Sequence, residues 1–297
     1  MNSVLVIGRG GQVGKALVTR LSANPSLDVS AFDRSSLDIT DRVIMDSVIR
    51  RSNPQIVVNA AAFTNVEKAE SEERLAYSVN SEAPKNIARI CKQLTIPLIH
   101  ISSEYVFDGR KGSPYIESDE PNPLNVYGKT KLEGEDGIRL SLKEHIIVRT
   151  SWVFSETGNN FVKTMLALGA EARSLAVVSD QIGGPTSAAG IAEAIHTIVT
   201  RYLKDRSLDW GVYNFCGVPA VSWFEFAQAI FQSVGDADLL TSIPDLEKIS
   251  AADYKCEALR PQNSRLNCDK IFKSFGVRPD DWAASLRDVM HKINSAI

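Results

Sequence analysis

The 297-residue sequence contains only four cysteines and four histidines. Cys91, Cys216, Cys256 and Cys268 are scattered without a CxxC pair, and no histidine or carboxylate cluster has metal-ligand spacing. A zinc site or redox dithiol is therefore not expected, and no metal is assigned. The cysteines read as small buried hydrophobes or bystander thiols of a reducing compartment. An excess of one charge is also missing: 33 basic against 36 acidic residues leave a net charge of -3. That balance gives no general pull toward nucleic acid or anionic lipid. No apolar run approaches the length of a membrane span, and Val4 to Ile7 passes straight into a glycine turn instead of a signal-peptide core. The expectation is a cytoplasmic protein with neither nucleic acid nor membrane as partner. Internal repeats and low-complexity tracts are lacking as well, which argues against a solenoid or a disordered linker.

What is there is ordinary globular composition, 44% hydrophobic and 23% charged, arranged in a rhythm of short β-rich runs and longer amphipathic ones. Val4 to Ile7, Val29 to Phe32, Ile56 to Val58, Pro97 to Ile101 and Ile146 to Val148 read as strands. Val13 to Leu21, Arg42 to Arg50, Ser71 to Lys92 and Val126 to Leu140 carry apolar residues at helical spacing. Alternation of this kind predicts an α/β fold with a Rossmann-type, doubly wound parallel sheet. After about Trp152 the pattern loosens, with helices expected at Asn160 to Leu168, Ala188 to Tyr202, Ser222 to Val234 and Trp282 to Ile293. Residues 1–152 are thus expected to form a dinucleotide-binding domain, completed by part of 187–216. The remainder of 153–297 is expected to be largely a smaller α/β substrate lobe.

The first strand runs into Gly8, Arg9, Gly10, Gly11, Gln12, Val13 and Gly14, which open a helix. Glycines there permit a tight turn and close approach of a pyrophosphate to backbone N–H groups, and the helix N-terminus favours negative charge. The spacing departs from strict GxGxxG, and such a cluster also serves as a plain turn. Asp33 closes the second strand, where a carboxylate accepts hydrogen bonds from an adenosine ribose or caps a turn. Arg34 beside it suits a 2'-phosphate, so NADH and NADPH both remain open. Asp38 and Ile39, a few residues on, are counted with the cofactor set. The third strand leads to Ala60, Ala61 and Ala62, small enough for a cofactor to lie against the sheet edge, or for tight packing alone.

Tyr127 and Lys131 stand four apart at the start of a predicted helix and so share a face. A free phenol titrates near pH 10, and a neighbouring ammonium is expected to lower it, fitting Tyr127 for general-acid work on a carbonyl oxygen. YxxxK alone is equally a surface pair. Here the strand ending at Ile101 delivers Ser102, Ser103, Glu104 and Tyr105 to the same edge, where the Ser103 hydroxyl can hold a substrate carbonyl or merely cap a turn.

These residues, with Asn59-Ala-Ala-Ala-Phe-Thr-Asn65, Ser102-Ser-Glu-Tyr-Val-Phe-Asp-Gly109, Pro123-Leu-Asn-Val-Tyr-Gly-Lys-Thr-Lys131, Arg149-Thr-Ser-Trp152, Gly158-Asn-Asn-Phe161, Asp180-Gln-Ile-Gly-Gly-Pro-Thr186 and Arg260-Pro-Gln-Asn-Ser-Arg265, resemble the extended short-chain dehydrogenase/reductases. Within them the sequence is similar to the dTDP-4-dehydrorhamnose reductase family over nearly its whole length. The resemblance implies Ser103, Tyr127 and Lys131 as a catalytic triad, Asn80 near the cofactor pocket, and NADPH or NADH as cofactor. It implies reduction of the 4-keto group of a nucleotide-linked 6-deoxyhexose, with Tyr127 protonating the oxygen. Trp152 is then expected to wall the sugar pocket, with Asn160, Arg260 and Arg265 on the nucleotide, and Tyr105 also at the substrate. Many family members have Thr-Asp where this chain has Ser103-Glu104, so Glu104 is expected at the sugar hydroxyls or on a proton path. Trp223 stacks on a base or fills core. A homodimer is compatible with the resemblance. Reduction of a different nucleotide-linked 4-keto sugar, or a non-catalytic regulatory subunit of the same fold, are the competing expectations.

Overall fold

The computed structural model describes residues 2–235 and 242–295. Its centre is a six-stranded, wholly parallel sheet. Five strands come from the first half: β1 (Asn2–Ile7), β2 (Leu27–Phe32), β3 (Ile56–Asn59), β4 (Leu98–Ser103) and β5 (His145–Thr150). The sixth, β6 (Gly211–Asn214), arrives after an excursion and pairs with β5, giving the order β2-β1-β3-β4-β5-β6. The chain leaves β1 toward β2 and then returns across β1 to β3. The carboxyl ends of β1 and β3 therefore flank a topological switch point, the place where open α/β sheets bind ligands.

Both faces of the sheet are covered, which is why its strands are apolar runs and not alternating ones. On one face Val4, Val6, Val58, Ile146 and Val148 pack against helix Gln12–Ser22 and helix Ala188–Asp205. On the other, Leu5, Ile7, Val57 and Ile147 meet Met45, Ile49, Ile87 and Ile138. A separate core forms from Phe154, Val162, Met165, Phe226, Ile230, Phe231, Trp282 and Leu286, all from the second half. Helix Asp269–Phe275, which the periodicity does not reveal, places Ile271 in the first core.

The segment expected as one helix from Ser71 to Lys92 is instead broken. Short helices Val66–Ser71 and Glu73–Tyr77 lead into a π-helical turn, Ser78–Glu82, before the regular helix Ala83–Leu94. Pro84 explains the turn: it has no N–H for the carbonyl four residues back, that of Asn80, and its ring would crowd that oxygen. The freed Asn80 region lies against helix Val126–Ser141, where a Cβ on Gly134 would stand 2.1 Å from the Asn80 carbonyl oxygen. Only glycine allows that approach.

Under the Tyr127 helix lies a buried ion pair. Arg149 on β5 donates from Nη2 to Glu135 Oε2 (2.6 Å) and from Nε to Oε1 (3.0 Å), and both side chains are almost wholly excluded from solvent. Ser102 Oγ donates to the same Glu135 Oε1 at 2.5 Å. The helix is thereby tied to two strands in one register.

Candidate active site

The glycine turn follows β1. Gly8 has φ +93°, and a Cβ there would lie 2.5 Å from the Ala61 nitrogen; a Cβ on Gly14 would lie 2.0 Å from the Gly8 oxygen. The turn is thus pressed against both its own helix and the β3 loop. Gly10 and Gly11 have room by comparison, since the nearest atoms to an added Cβ lie at 3.3 and 3.6 Å. Helix Gln12–Ser22 has Gly11 as its N-cap, with no side-chain cap for the first-turn N–H groups. An uncapped N-terminus with small residues on its approach fits a diphosphate.

Gln12 does something else. Its Oε1 accepts from Ser155 Oγ and Asn160 Nδ2, both at 2.9 Å, which joins the turn to the second half of the chain. Asn160 is wholly engaged: Oδ1 caps helix Phe161–Glu171 through the Lys163 N–H, and Nδ2 also donates to the Ser155 carbonyl. The Asn160 amide thus caps one helix and bridges the glycine turn to the second half of the chain.

At the end of β2 the Asp33 carboxylate accepts from Arg9 Nε (2.9 Å), Ser35 Oγ (2.6 Å) and Ser36 Oγ (3.0 Å). These donors, Ser35 first, hold it far below the ordinary carboxylate range. The turn cap is realised, with Arg9 from the glycine turn as an added partner that the sequence spacing did not single out. Arg34 is exposed. Asp38 caps its own turn through Thr40, while Ile39 is buried in the core beneath.

Asn80 is buried and clamps the loop after Ala60, Ala61 and Ala62: Oδ1 accepts from the Phe63 N–H (2.8 Å), and Nδ2 donates to the Phe63 carbonyl (3.0 Å) and Thr130 Oγ1 (3.2 Å). It ties the crevice wall to the Tyr127 helix.

Helix Val126–Ser141 begins where Asn125 Oδ1 accepts from the Gly128 N–H at 2.8 Å. Tyr127 and Lys131 follow on one face, opposite the end of β4. Ser103 Oγ donates to Glu104 Oε2 at 2.6 Å and accepts from the Tyr105 N–H at 3.2 Å. Glu104 is 3% exposed and is bonded to Ser103. Burial pushes its carboxyl up to about 7, against the pull of Ser103 and the N–H groups of Trp152 and Tyr105. Tyr127 is half-buried, and its phenol is raised by desolvation first and by Glu104 second, with Ser103 pulling it back.

The expectation that Lys131 acidifies the phenol is therefore corrected. Lys131 is itself 1% exposed, burial brings its amine down to about 8, and Nζ donates to the Ile101 carbonyl at 2.6 Å. Its other neighbour is His100 Nε2, at 3.4 Å. Arg9 and His100 escaped the sequence reading because their partners stand on other segments.

Around this edge, Tyr105 meets Tyr127 edge-on, ring centroids 5.5 Å apart. Trp152 adopts φ +45°, a left-handed conformation that a bulky residue rarely takes, and stacks on Trp223 at 3.4 Å and 7°. Trp223 is more than core filling, since it backs Trp152. Arg260 Nη2 pairs with Glu67 Oε1 at 2.7 Å, while its buried Nε has no partner. Arg265 donates to Asn263 Oδ1 and the Gly112 carbonyl. Among the described residues no group of three His, Cys, Asp or Glu could hold a metal ion.

A Rossmann-type sheet with a glycine turn at its switch point, and with Ser103 and Tyr127-x-x-x-Lys131 at the adjoining strand ends, defines the class as a short-chain dehydrogenase/reductase fold. The model of the RmlD substrate binding domain family matches residues 1–295. A dTDP-4-dehydrorhamnose reductase of Aggregatibacter actinomycetemcomitans is 42% identical over 289 residues, covering 97% of this chain and 98% of that protein. Among solved structures, a dTDP-4-dehydrorhamnose reductase from Clostridium acetobutylicum superposes with a TM-score of 0.89 at 32% identity, covering 98% and 99% of the two chains. One from Bacillus anthracis, in complex with NADP, gives 0.88 at 32% identity over 98% and 99%. The chain belongs to the dTDP-4-dehydrorhamnose reductase family.

Proposed function

We propose that the protein reduces the 4-keto group of dTDP-4-dehydro-L-rhamnose to dTDP-L-rhamnose, using NADPH or NADH. What supports the reading is Ser103 at the end of β4 facing Tyr127, with Lys131 one turn further along the same helix, in a chain of this family whose glycine turn leads into an uncapped helix. Gly10, Gly11 and the first-turn N–H groups would hold the dinucleotide's diphosphate, with Arg34 and the Arg9–Asp33 pair toward its adenosine end. Bound there, the reduced nicotinamide supplies a hydride to the sugar's C4.

As the carbonyl π pair moves onto oxygen, the Tyr127 O–H gives that oxygen its proton, leaving a phenolate beside Ser103. A phenol held high is a weaker acid but stays protonated at neutral pH, and the alkoxide it meets is a far stronger base, so the transfer still runs downhill. Ser103 joins Tyr127 to Glu104, and a Glu104 carboxyl titrating near 7 can return a proton to the phenolate through the serine hydroxyl. Trp152 backed by Trp223 would wall the sugar, Tyr105 would line its entry, and the unpartnered Arg260 Nε would face the nucleotide. The division into a nucleotide domain (1–152 with part of 187–216) and a substrate lobe, and a cytoplasmic location, belong to the same proposal.

The test offers purified protein a panel of dTDP-, UDP- and GDP-linked 4-keto sugars with either cofactor and follows nicotinamide oxidation. Turnover confined to dTDP-4-dehydro-L-rhamnose is expected. Turnover of UDP or GDP sugars alone would overturn the assignment. Cofactor binding with no turnover of any sugar would favour a regulatory subunit of the same fold.

A further inference from the structure

The Tyr127 helix starts from a corner that three other segments hold. Glu70, on helix Val66–Ser71, accepts from the Val126 N–H at 2.8 Å. Gly128 lies so close to Tyr105 that an added Cβ would stand 2.2 Å from the Tyr105 carbonyl oxygen. The third hold comes from far along the chain: Asn125, 3% exposed, donates from Nδ2 to the Leu259 carbonyl at 2.7 Å. Among the described residues this is the hydrogen bond that joins the start of the helix to the second half of the chain, and the reduction outlined above makes no use of it.

Both ends of the Asn125 amide are engaged. Its Oδ1 caps the helix through the Gly128 N–H, a task that Ser or Asp performs equally well. Its Nδ2 adds what those residues lack, a donor long enough to reach the opposite loop. Leu259 directly precedes Arg260, and this stretch is clasped from its other side by Glu67. Glu67 Oε2 accepts from the Glu257 and Ala258 N–H groups at 2.9 and 3.3 Å, and Oε1 from Arg260 Nη2 at 2.7 Å. Glu67 and Glu70 share one short helix at i, i+3 spacing, so they stand on one face. Loop 257–260, helix Val66–Ser71 and the start of the Tyr127 helix therefore close a ring of hydrogen bonds, with Arg260 at one point and Tyr127 at another. We infer that Asn125 is a positioning residue, which sets the span between the guanidinium offered to the nucleotide and the phenol offered to the sugar carbonyl. One amide fixes both the first turn of the helix and the register of the loop. A nucleotide seated at Arg260 thus stiffens the helix start without having to reach it, and binding at the remote end of the substrate helps to orient the reacting end.

This inference rests on the reductase reading for its ligand, but its first test needs no turnover. The probe is dTDP, which carries the nucleotide and no sugar. In the wild type, amide hydrogen exchange of the peptide spanning residues 125–131, followed by mass spectrometry, should slow about threefold or more when dTDP saturates the protein. Asn125→Ser keeps the cap and loses the reach. It should bind dTDP and NADPH within about twofold of the parent, yet its 125–131 peptide should no longer respond to dTDP. Its kcat should fall about tenfold at a KM changed less than about twofold, as expected when reacting groups are held less exactly and the substrate is held as before. Asn125→Asp, an equally good cap that sets a second acceptor against the Leu259 carbonyl, should show the same split. Exchange unmoved by bound dTDP in the wild type overturns the inference. So does an unaltered kcat in folded Asn125→Ser, or a loss confined to KM and dTDP affinity, which would make Asn125 part of the nucleotide loop alone. Should neither variant fold, the wild-type exchange decides by itself. If UDP or GDP binds and dTDP does not, the dTDP reading falls and the exchange is read with the nucleotide that binds; binding of none of the three overturns both. Failure of every sugar to react, with the exchange as expected, would remove the reductase reading and leave the tie through Asn125 standing.

Discussion

The glycine turn and the Tyr127 edge lie at the carboxyl ends of one sheet, a few strands apart, yet they treat charge in opposite ways. Around the turn, carboxylates are solvated and surrounded by donors, so Asp33 and Asp38 are both held below their usual range. At the Tyr127 edge the groups are dry. Glu104 and Tyr127 are pushed up, while Lys131 and His100 are pushed down, each toward its uncharged form. One region keeps its carboxylates charged, and the other favours uncharged, proton-exchanging forms. Desolvation makes the difference: the same carboxyl chemistry gives a permanent anion at Asp33 and a group titrating near neutrality at Glu104.

Substitutions that disturb one region should leave the other standing. The largest effect is expected for Tyr127→Phe, which removes the proton donor without touching the turn. Turnover should fall by roughly 10²- to 10⁴-fold while the cofactor dissociation constant, measured by fluorescence titration, stays within about twofold. Equal loss of both would erase the proposed separation. Glu135→Gln strikes beneath the Tyr127 edge, leaving Arg149 buried without its counter-charge. A stability loss of about 3–5 kcal/mol in urea unfolding is expected, and a loss under about 1 kcal/mol would mean that Ser102 and water suffice for the guanidinium.

Glu104→Gln sharpens the contrast through pH. The folded-state carboxyl titrates near 7, above its ordinary 4.5, so the native state binds the extra proton and stability declines as pH rises from about 4.5 through 7. The amide escapes that penalty. Glu104→Gln should be more stable than the parent at pH 8, by about 1–3 kcal/mol, and the gain should vanish near pH 4. Its kcat–pH profile should also lose an inflection near 7. A gain that persists unchanged at pH 4 would show that packing, not ionisation, is responsible. The smallest effect is expected at the exposed turn: Asp33→Asn should leave stability between pH 5 and 8 nearly flat and shift the NADPH-to-NADH preference only several-fold toward NADPH, as read from kcat/KM with each cofactor.

The parallel sheet, the glycine turn and the Tyr127 helix were legible because each is a local pattern: apolar runs, small residues after a strand, and a four-residue spacing. The break in the Ser71 to Lys92 segment carried a local signal too, Pro84, but its outcome depended on Gly134 letting a second helix meet the freed carbonyl. Strand β6 is only four residues long, and its place beside β5 is decided by the helix that precedes it. The partners that Asn160 and Arg265 find within the fold, a helix end for the one and Asn263 with the Gly112 carbonyl for the other, could not be told from residue type alone.

By itself the sequence determined which groups are available for chemistry, Ser103, Tyr127 and Lys131, and which edge of the sheet would receive them. That much is fixed by strand polarity and helix pitch, properties of neighbouring residues. Only the tertiary structure decided how those groups hold their protons. Proton affinity depends on water excluded and on donors supplied by segments far apart in the chain, as when the Trp152 N–H pulls on the buried Glu104 carboxyl.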